Sequence, residues 1–271
     1  MTALEILNAI DKTYKTAKNS DLIYELMLAN FVNISGFVFQ TGVIKQGSPL
    51  IRARFSSDMT SFLKLSDVSY PQKFHVTDFS RLNRPRQNLF YASESEKACI
   101  AEMLPFWLDK FKTGDRIKVT LGKWILRKDL MLLFIPDTKN VNKLSKITIS
   151  QLRPEEKLFW DYFSEKLKTS TKEDKNIYEF TSAFANALWL NSKLQNIEVS
   201  GFLYSSVQSS KDLNIALTPE TIENEFIVPS EFVEIVFLRN GITATGLPTY
   251  KEIGERKRGI INIDKSEIEW I

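Results

Sequence analysis

The chain has 271 residues, of which 43% are hydrophobic and 25% charged. That profile fits one large domain or a core with additions, and excludes both a disordered chain and a minimal motif. Thirty-six basic against 33 acidic residues leave a net charge of +3, too weak to mark a nucleic-acid footprint. One cysteine, Cys99, and one histidine, His75, exclude an intramolecular disulfide and a Cys/His zinc site, so no metal is expected.

Residues 3–18 carry Leu4, Leu7, Ile10 and Tyr14 at helical spacing, and a second helical run covers Leu22 to Asn30 after a cap candidate at Ser20. Residues 1–45 therefore read as an N-terminal helical appendage, either packed on the core or free to bind a partner. From Gly36 the period shortens: Phe37-Val38-Phe39 and Leu50–Phe55 read as strands, the second with Arg52 and Arg54 on one face and Ile51, Ala53 and Phe55 on the other. Residues 66–88 hold Pro71 and Pro85 without a period, and are expected to form a long loop of the kind that carries function.

Leu89-Phe90-Tyr91 is a short strand leading into Ser93-Glu94-Ser95-Glu96, a helix-capping pattern. The helix that follows buries Ala98, Ile100, Ala101, Met103 and Leu104, with Glu102 among them. Strands are expected at Arg116–Leu126 and Leu130–Ile135 about a turn at Lys128-Asp129. Helices follow at 154–168, opened by Pro154, Glu155 and Glu156, and at 175–191. Val199–Tyr204, Leu213–Leu217 and Phe232–Leu238 return to strand character, and residues 241–271 read as a tail packed on the core. Hairpin-like strands interrupted by two long helices indicate an α+β fold.

Several mechanisms are absent from the pattern. There is neither a G-x-x-x-x-G-K-[S/T] nor a G-x-G-x-x-G motif among only ten glycines, which disfavours P-loop and Rossmann phosphate cradles. Nothing around His75 forms the Gly-x-Ser-x-Gly elbow, so it reads as a loop or strand-edge histidine. No apolar run reaches the ~20 residues that span a bilayer, and Met1-Thr2-Ala3-Leu4-Glu5 lacks a basic leader region. A cytoplasmic protein without membrane or nucleic-acid partners is the expectation.

What remains is a scattered polar set: Arg81, Asn83, Arg84 and Arg86 in the loop, Tyr91 at a strand end, Glu102 on the next helix, then Tyr204-Ser205-Ser206 and Asn214 late in the chain. Singly, each has a structural explanation: a solvated basic loop, a core tyrosine, an acid paired with an arginine. Jointly, Phe79-Ser80-Arg81-Leu82-Asn83-Arg84-Pro85, Leu89-Phe90-Tyr91-Ala92-Ser93 and Ala101-Glu102 resemble the RES-domain family, with Tyr91 ten residues beyond Arg81 and Glu102 eleven beyond Tyr91. Arg52-Ala53-Arg54, Tyr178-Glu179-Phe180-Thr181, Gly201–Ser206 and Asn214-Ile215-Ala216-Leu217 extend the resemblance over residues 46–240. Departures are Ser80 and Arg86 in place of glycines, Tyr204-Ser205-Ser206 in place of Tyr-Pro-Ser, and Tyr91-Ala92-Ser93 in place of a Tyr-x-Ala strand end.

The resemblance implies an ADP-ribosyltransferase-like mixed sheet with flanking helices. It further implies toxin-like cleavage of NAD+, as substrate rather than cofactor, at the nicotinamide–ribose bond, and an antitoxin protein as a partner. Transfer of ADP-ribose to a protein, or a binding module that has lost turnover, are the alternatives. On this reading Glu102 faces the ribose cation, Arg81 with Arg52 or Arg54 holds the diphosphate, and Arg84 and Asn83 also bind substrate. Tyr91 lies against the pyridinium, and Ser206 and Asn214 hydrogen-bond the ligand or hold Glu102.

Overall fold

Thr2 opens the first helix, α1 (Ala3–Ala17): its hydroxyl accepts from the Glu5 N–H, while the Glu5 carboxylate accepts from the Thr2 N–H at 2.7 Å. The second, α2 (Ile23–Val32), has no side-chain cap, and Ser20 instead accepts from the Leu22 N–H. A computed structural model of the chain describes residues 2–34, 39–56, 58–137, 139, 150–206, 212–243 and 248–271. Within these, seven α-helices accompany one ten-stranded sheet.

The strands are β1 (Gln40–Ile44), β2 (Pro49–Ser56), β3 (Phe90–Ser93), β4 (Arg116–Leu126), β5 (Leu130–Ile135), β6 (Gly201–Ser205), β7 (Leu213–Leu217), β8 (Ile227–Ile242), β9 (Pro248–Asn262) and β10 (Glu267–Trp270). Their order across the sheet is β1-β5-β6-β7-β3-β2-β4-β8-β9-β10. Only β5 and β6 run parallel; the other neighbouring pairs are antiparallel. A parallel pair needs a crossover, and here it carries α5 (Pro154–Lys168) and α6 (Ile177–Leu194). Gly201 begins β6 at φ +153°, where an added Cβ would run into the Ala216 carbonyl, so only glycine lets β6 and β7 approach this closely. The remaining helices are α3 (Leu65–Val68), α4 (Glu96–Lys110) and α7 (Pro219–Glu223).

One face of the sheet is covered by α1, α2, α5 and α6. Tyr14, Met27 and Phe31 are buried there with Phe163, Phe180 and Phe184, over Leu133, Phe202 and Ala216 of the strands. The Phe163 and Phe184 rings stack at 3.7 Å between centroids, and Phe31 meets both edge-on. Each fully buried ring contributes about 1.5–3 kcal/mol, so the N-terminal helices are part of the core and not a free arm. Farther along the same face α4 buries Trp107 against Val119, Ile235 and Phe237, with Ile51, Ala53 and Phe55 of β2 packed alongside. The opposite face buries Phe90, Trp124, Phe134, Leu203, Ile215 and Phe232.

Several sequence expectations are corrected. The strands at Arg116–Leu126 and Leu130–Ile135 have the expected bounds but form no hairpin: β4 pairs with β2 and β8, whereas β5 pairs with β1 and β6. Residues 66–88 are not loop throughout, since α3 ends inside them and a 3-10 turn spans Lys73–His75. Residues beyond 241 are not a tail; they end β8 and form β9 and β10 of the sheet. The strand expected at Phe37-Val38-Phe39 lies outside the described residues at Phe37 and Val38, and the strand found begins at Gln40.

Candidate active site

Cross-strand register assembles the site. Ile51 lies opposite Ser93, Ser93 opposite Asn214, Asn214 opposite Tyr204, and Tyr204 opposite Ile135, one row of side chains across β2, β3, β7, β6 and β5. Register partners share a face, and this is the face that carries both α4 and the four-helix layer. The polar members of the row therefore lie in the seam between two apolar clusters.

Glu102 enters that seam from α4. The helix is capped by Ser95, whose hydroxyl accepts from the Ala98 N–H, rather than by the box expected from Ser93. Two donors meet the Glu102 Oε1: the Ser206 hydroxyl at 2.5 Å and the Asn214 Nδ2 at 2.9 Å. Ser206 follows β6 and is fully buried, and Asn214 on β7 is buried as well. Two bonds from separate strands fix the orientation of the carboxylate, and hydrogen bonds to an ionised acceptor are the stronger kind.

Arg81 and three tyrosines complete the cluster. The Arg81 guanidinium lies 5.7 Å from the centre of the Tyr178 ring, and its Nη1 is buried without a hydrogen-bond partner. Such a donor is costly to leave unmet, and it is the kind of group an anionic ligand satisfies. The Tyr91 hydroxyl donates to Asn83 Oδ1 at 2.7 Å. Burial raises the Tyr91 phenol above its ordinary range, against the lowering effects of a Leu82 main-chain bond and the Arg81 charge. Burial likewise pushes Tyr204 well up, with Tyr91 and Glu102 adding to the rise and Arg81 opposing it. Both phenols stay protonated near neutrality. Cys99, buried on α4, is pushed up to about 12, chiefly by desolvation, so it is no thiolate nucleophile.

Arg81, Asn83, Tyr91, Glu102, Ser206 and Asn214 are thus gathered around the seam. Three expected arginines behave differently. Beyond their single register pair, Ile51 and Ser93, β2 and β3 part, and Arg52 fills the gap. It is buried, donating from Nε to the Val68 carbonyl at 3.2 Å and from Nη1 to the Tyr91 carbonyl at 2.7 Å, and packs over the Phe90 ring. Desolvation, then the Arg54 charge, pull it down to about 9. Two of its donors hold main chain, so Arg52 braces the split sheet. Arg54 is turned by strand alternation to the face opposite Glu102, where Asp67 of α3 is its acidic neighbour. Arg84 is exposed beside Tyr24 and lines a different cleft.

The gap between β2 and β3 opens into a cleft of about 270 Å³ lined by Arg52, His75, Asn83 and Tyr91 among others. A larger cleft, about 920 Å³, lies at the other end of β3, β6 and β7, where Arg84, Asn88, Phe202 and Thr218 line it. Glu102, Ser206 and Asn214 are not among the residues that line the larger cleft. Tyr178 and Ser93 are contacts that sequence reasoning did not assign. Tyr178 belonged to a recognised segment without a role, and the cross-strand placement of Ser93 has no local signature.

With this geometry in view, the family model of the RES domain matches residues 65–232. The chain belongs to the RES-domain family, which is linked to NAD-related, toxin-like function. No curated protein matches the chain. Among the described residues no helix is long and apolar enough to cross a membrane.

Proposed function

We propose that the protein consumes NAD+ by breaking the bond between nicotinamide and ribose. The observation that carries this reading is the Glu102 carboxylate, fixed by Ser206 and Asn214 in the seam that also holds Arg81, whose Nη1 is buried and unpartnered. As the C–N bond breaks, its electron pair leaves with nicotinamide, which departs as a neutral base, and positive charge builds on the ribose. A preoriented carboxylate stabilises that charge without reorganising. Arg81 supplies a bidentate-capable cation for the diphosphate without a glycine cradle. Tyr91 offers an aromatic wall to the pyridinium. Water then adds to the ribose carbon and loses a proton to solvent, or phosphate adds in its place.

Incubating purified protein with NAD+, in buffer alone, with phosphate, and with an acceptor protein, tests the reading. Free nicotinamide with ADP-ribose, or with its phosphorylated form in phosphate, is the expected outcome. Stoichiometric labelling of the acceptor would make the protein a transferase. Intact NAD+ in all three arms would leave a binding module and contradict the proposal.

A further inference from the structure

Asn214 has two hydrogen-bonding ends of nearly the same shape, so sterics alone do not decide which end faces Glu102. A carboxylate only accepts, so the productive orientation turns Nδ2 toward Glu102 Oε1, as observed at 2.9 Å. That leaves Oδ1 on the far side of a side chain only 3% exposed, where an unmet acceptor is costly. The Ser93 hydroxyl donates to Asn214 Oδ1 at 2.6 Å, from the position directly opposite in the β3–β7 ladder. Ser93 is itself buried.

We infer that Ser93 is a positioning residue: its hydroxyl locks the Asn214 amide with the donor end toward Glu102. The inference rests on the reading of Glu102 as the group that faces the ribose. Placement and orientation are separable here. The Leu213 N–H donates to the Glu94 carboxylate at 3.2 Å, and the Ser95 hydroxyl donates to Asp212 Oδ1 at 3.1 Å. The two residues after Ser93 thus tie the same strand start without it. Removing the Ser93 hydroxyl leaves β3 and β7 in register and frees only the amide to turn. Alanine is serine without the hydroxyl, so it fits the space.

The test compares wild type with Ser93→Ala, Ser93→Thr, Asn214→Ala and the Ser93→Ala/Asn214→Ala double variant in nicotinamide release from NAD+. Ser93→Ala is expected to lower kcat about tenfold, the worth of one buried hydrogen bond, with KM within about twofold. Ser93→Thr keeps the hydroxyl on a strand-compatible side chain and restores kcat. The double variant is no slower than Asn214→Ala, because both changes remove one interaction. Wild-type kcat in Ser93→Ala, or losses that multiply in the double variant, would overturn the inference. A readout independent of turnover is the Asn214 side-chain amide in NMR spectra: slowly exchanging in wild type and Ser93→Thr, fast in Ser93→Ala. A wild type that releases no nicotinamide would sink the proposed reaction alone, and the amide signal would still decide the role of Ser93: equal exchange in wild type and Ser93→Ala refutes it.

Discussion

Glu102→Gln removes one negative charge and little else. Glutamine is isosteric, and its Oε1 can still accept from Ser206 and Asn214, the two donors that hold the carboxylate at 2.5 and 2.9 Å. The fold should therefore survive with a loss of about 1 kcal/mol or less, the difference between a charged and a neutral acceptor. Turnover should not. A carboxylate about 4 Å from the ribose cation, at an effective dielectric near 20, stabilises it by about 4 kcal/mol, and losing that slows the step about a thousandfold. Steady-state nicotinamide release, with circular dichroism and a urea titration on the same preparation, separates chemistry from folding. A folded Glu102→Gln variant within about threefold of wild-type kcat would refute the electrostatic role.

Arg81→Met removes a buried donor that has no partner in the free protein. Thermal stability should stay level or rise while affinity for ADP-ribose, measured by calorimetry, weakens about 10- to 100-fold; unchanged affinity contradicts the assignment. Alkaline pH should destabilise the fold. Cys99, at about 12 against an ordinary 9.0, and the raised phenols Tyr91 and Tyr204 hold their protons longer folded than unfolded. The stability they provide is complete below about pH 9 and is lost as pH rises toward 12. Arg52, pulled down to about 9, works in the opposite direction with one proton. The urea midpoint is expected to fall between pH 9 and 11, and a flat or rising midpoint would show that these groups are not buried as described. A chain lacking residues 1–34 should bind a hydrophobic dye and aggregate, because Phe163, Phe180 and Phe184 lose the cover of Tyr14, Met27 and Phe31; a soluble chain with an unshifted melting transition would place these helices outside the core.

Local pattern carried part of the fold. Arg116–Leu126 and the 154–168 helix have the bounds their periodicity and Pro154 dictate, because alternation and helix-start chemistry are local. Strand partners are not local: Lys128-Asp129 looks like a hairpin turn, yet it links strands that lie far apart in the sheet. β9 was hidden by its own exposure, since Lys251, Glu252, Glu255, Arg256 and Lys257 face solvent and mask the strand period. In the site, Arg81, Tyr91, Glu102, Ser206 and Asn214 were legible as spaced motif residues. Arg52, Arg54 and Arg84 stand out in the sequence for their charge, and charge alone does not say on which face of the sheet the polar cluster lies. Alternation turns Arg54 to the face opposite Glu102, and the split between β2 and β3 leaves Arg52 on the main-chain carbonyls of Val68 and Tyr91.

Two clefts flank β3, and only the smaller is lined by Tyr91 and Asn83 of the polar cluster. A crystal structure of Glu102→Gln soaked with NAD+ tests the account most directly, because the slow variant keeps the substrate whole. The anomeric ribose carbon is expected about 4 Å from the residue 102 carboxamide, with the diphosphate against Arg81. NAD+ lodged instead in the larger cleft beside Arg84 and Thr218, with the Glu102 seam empty, would contradict it.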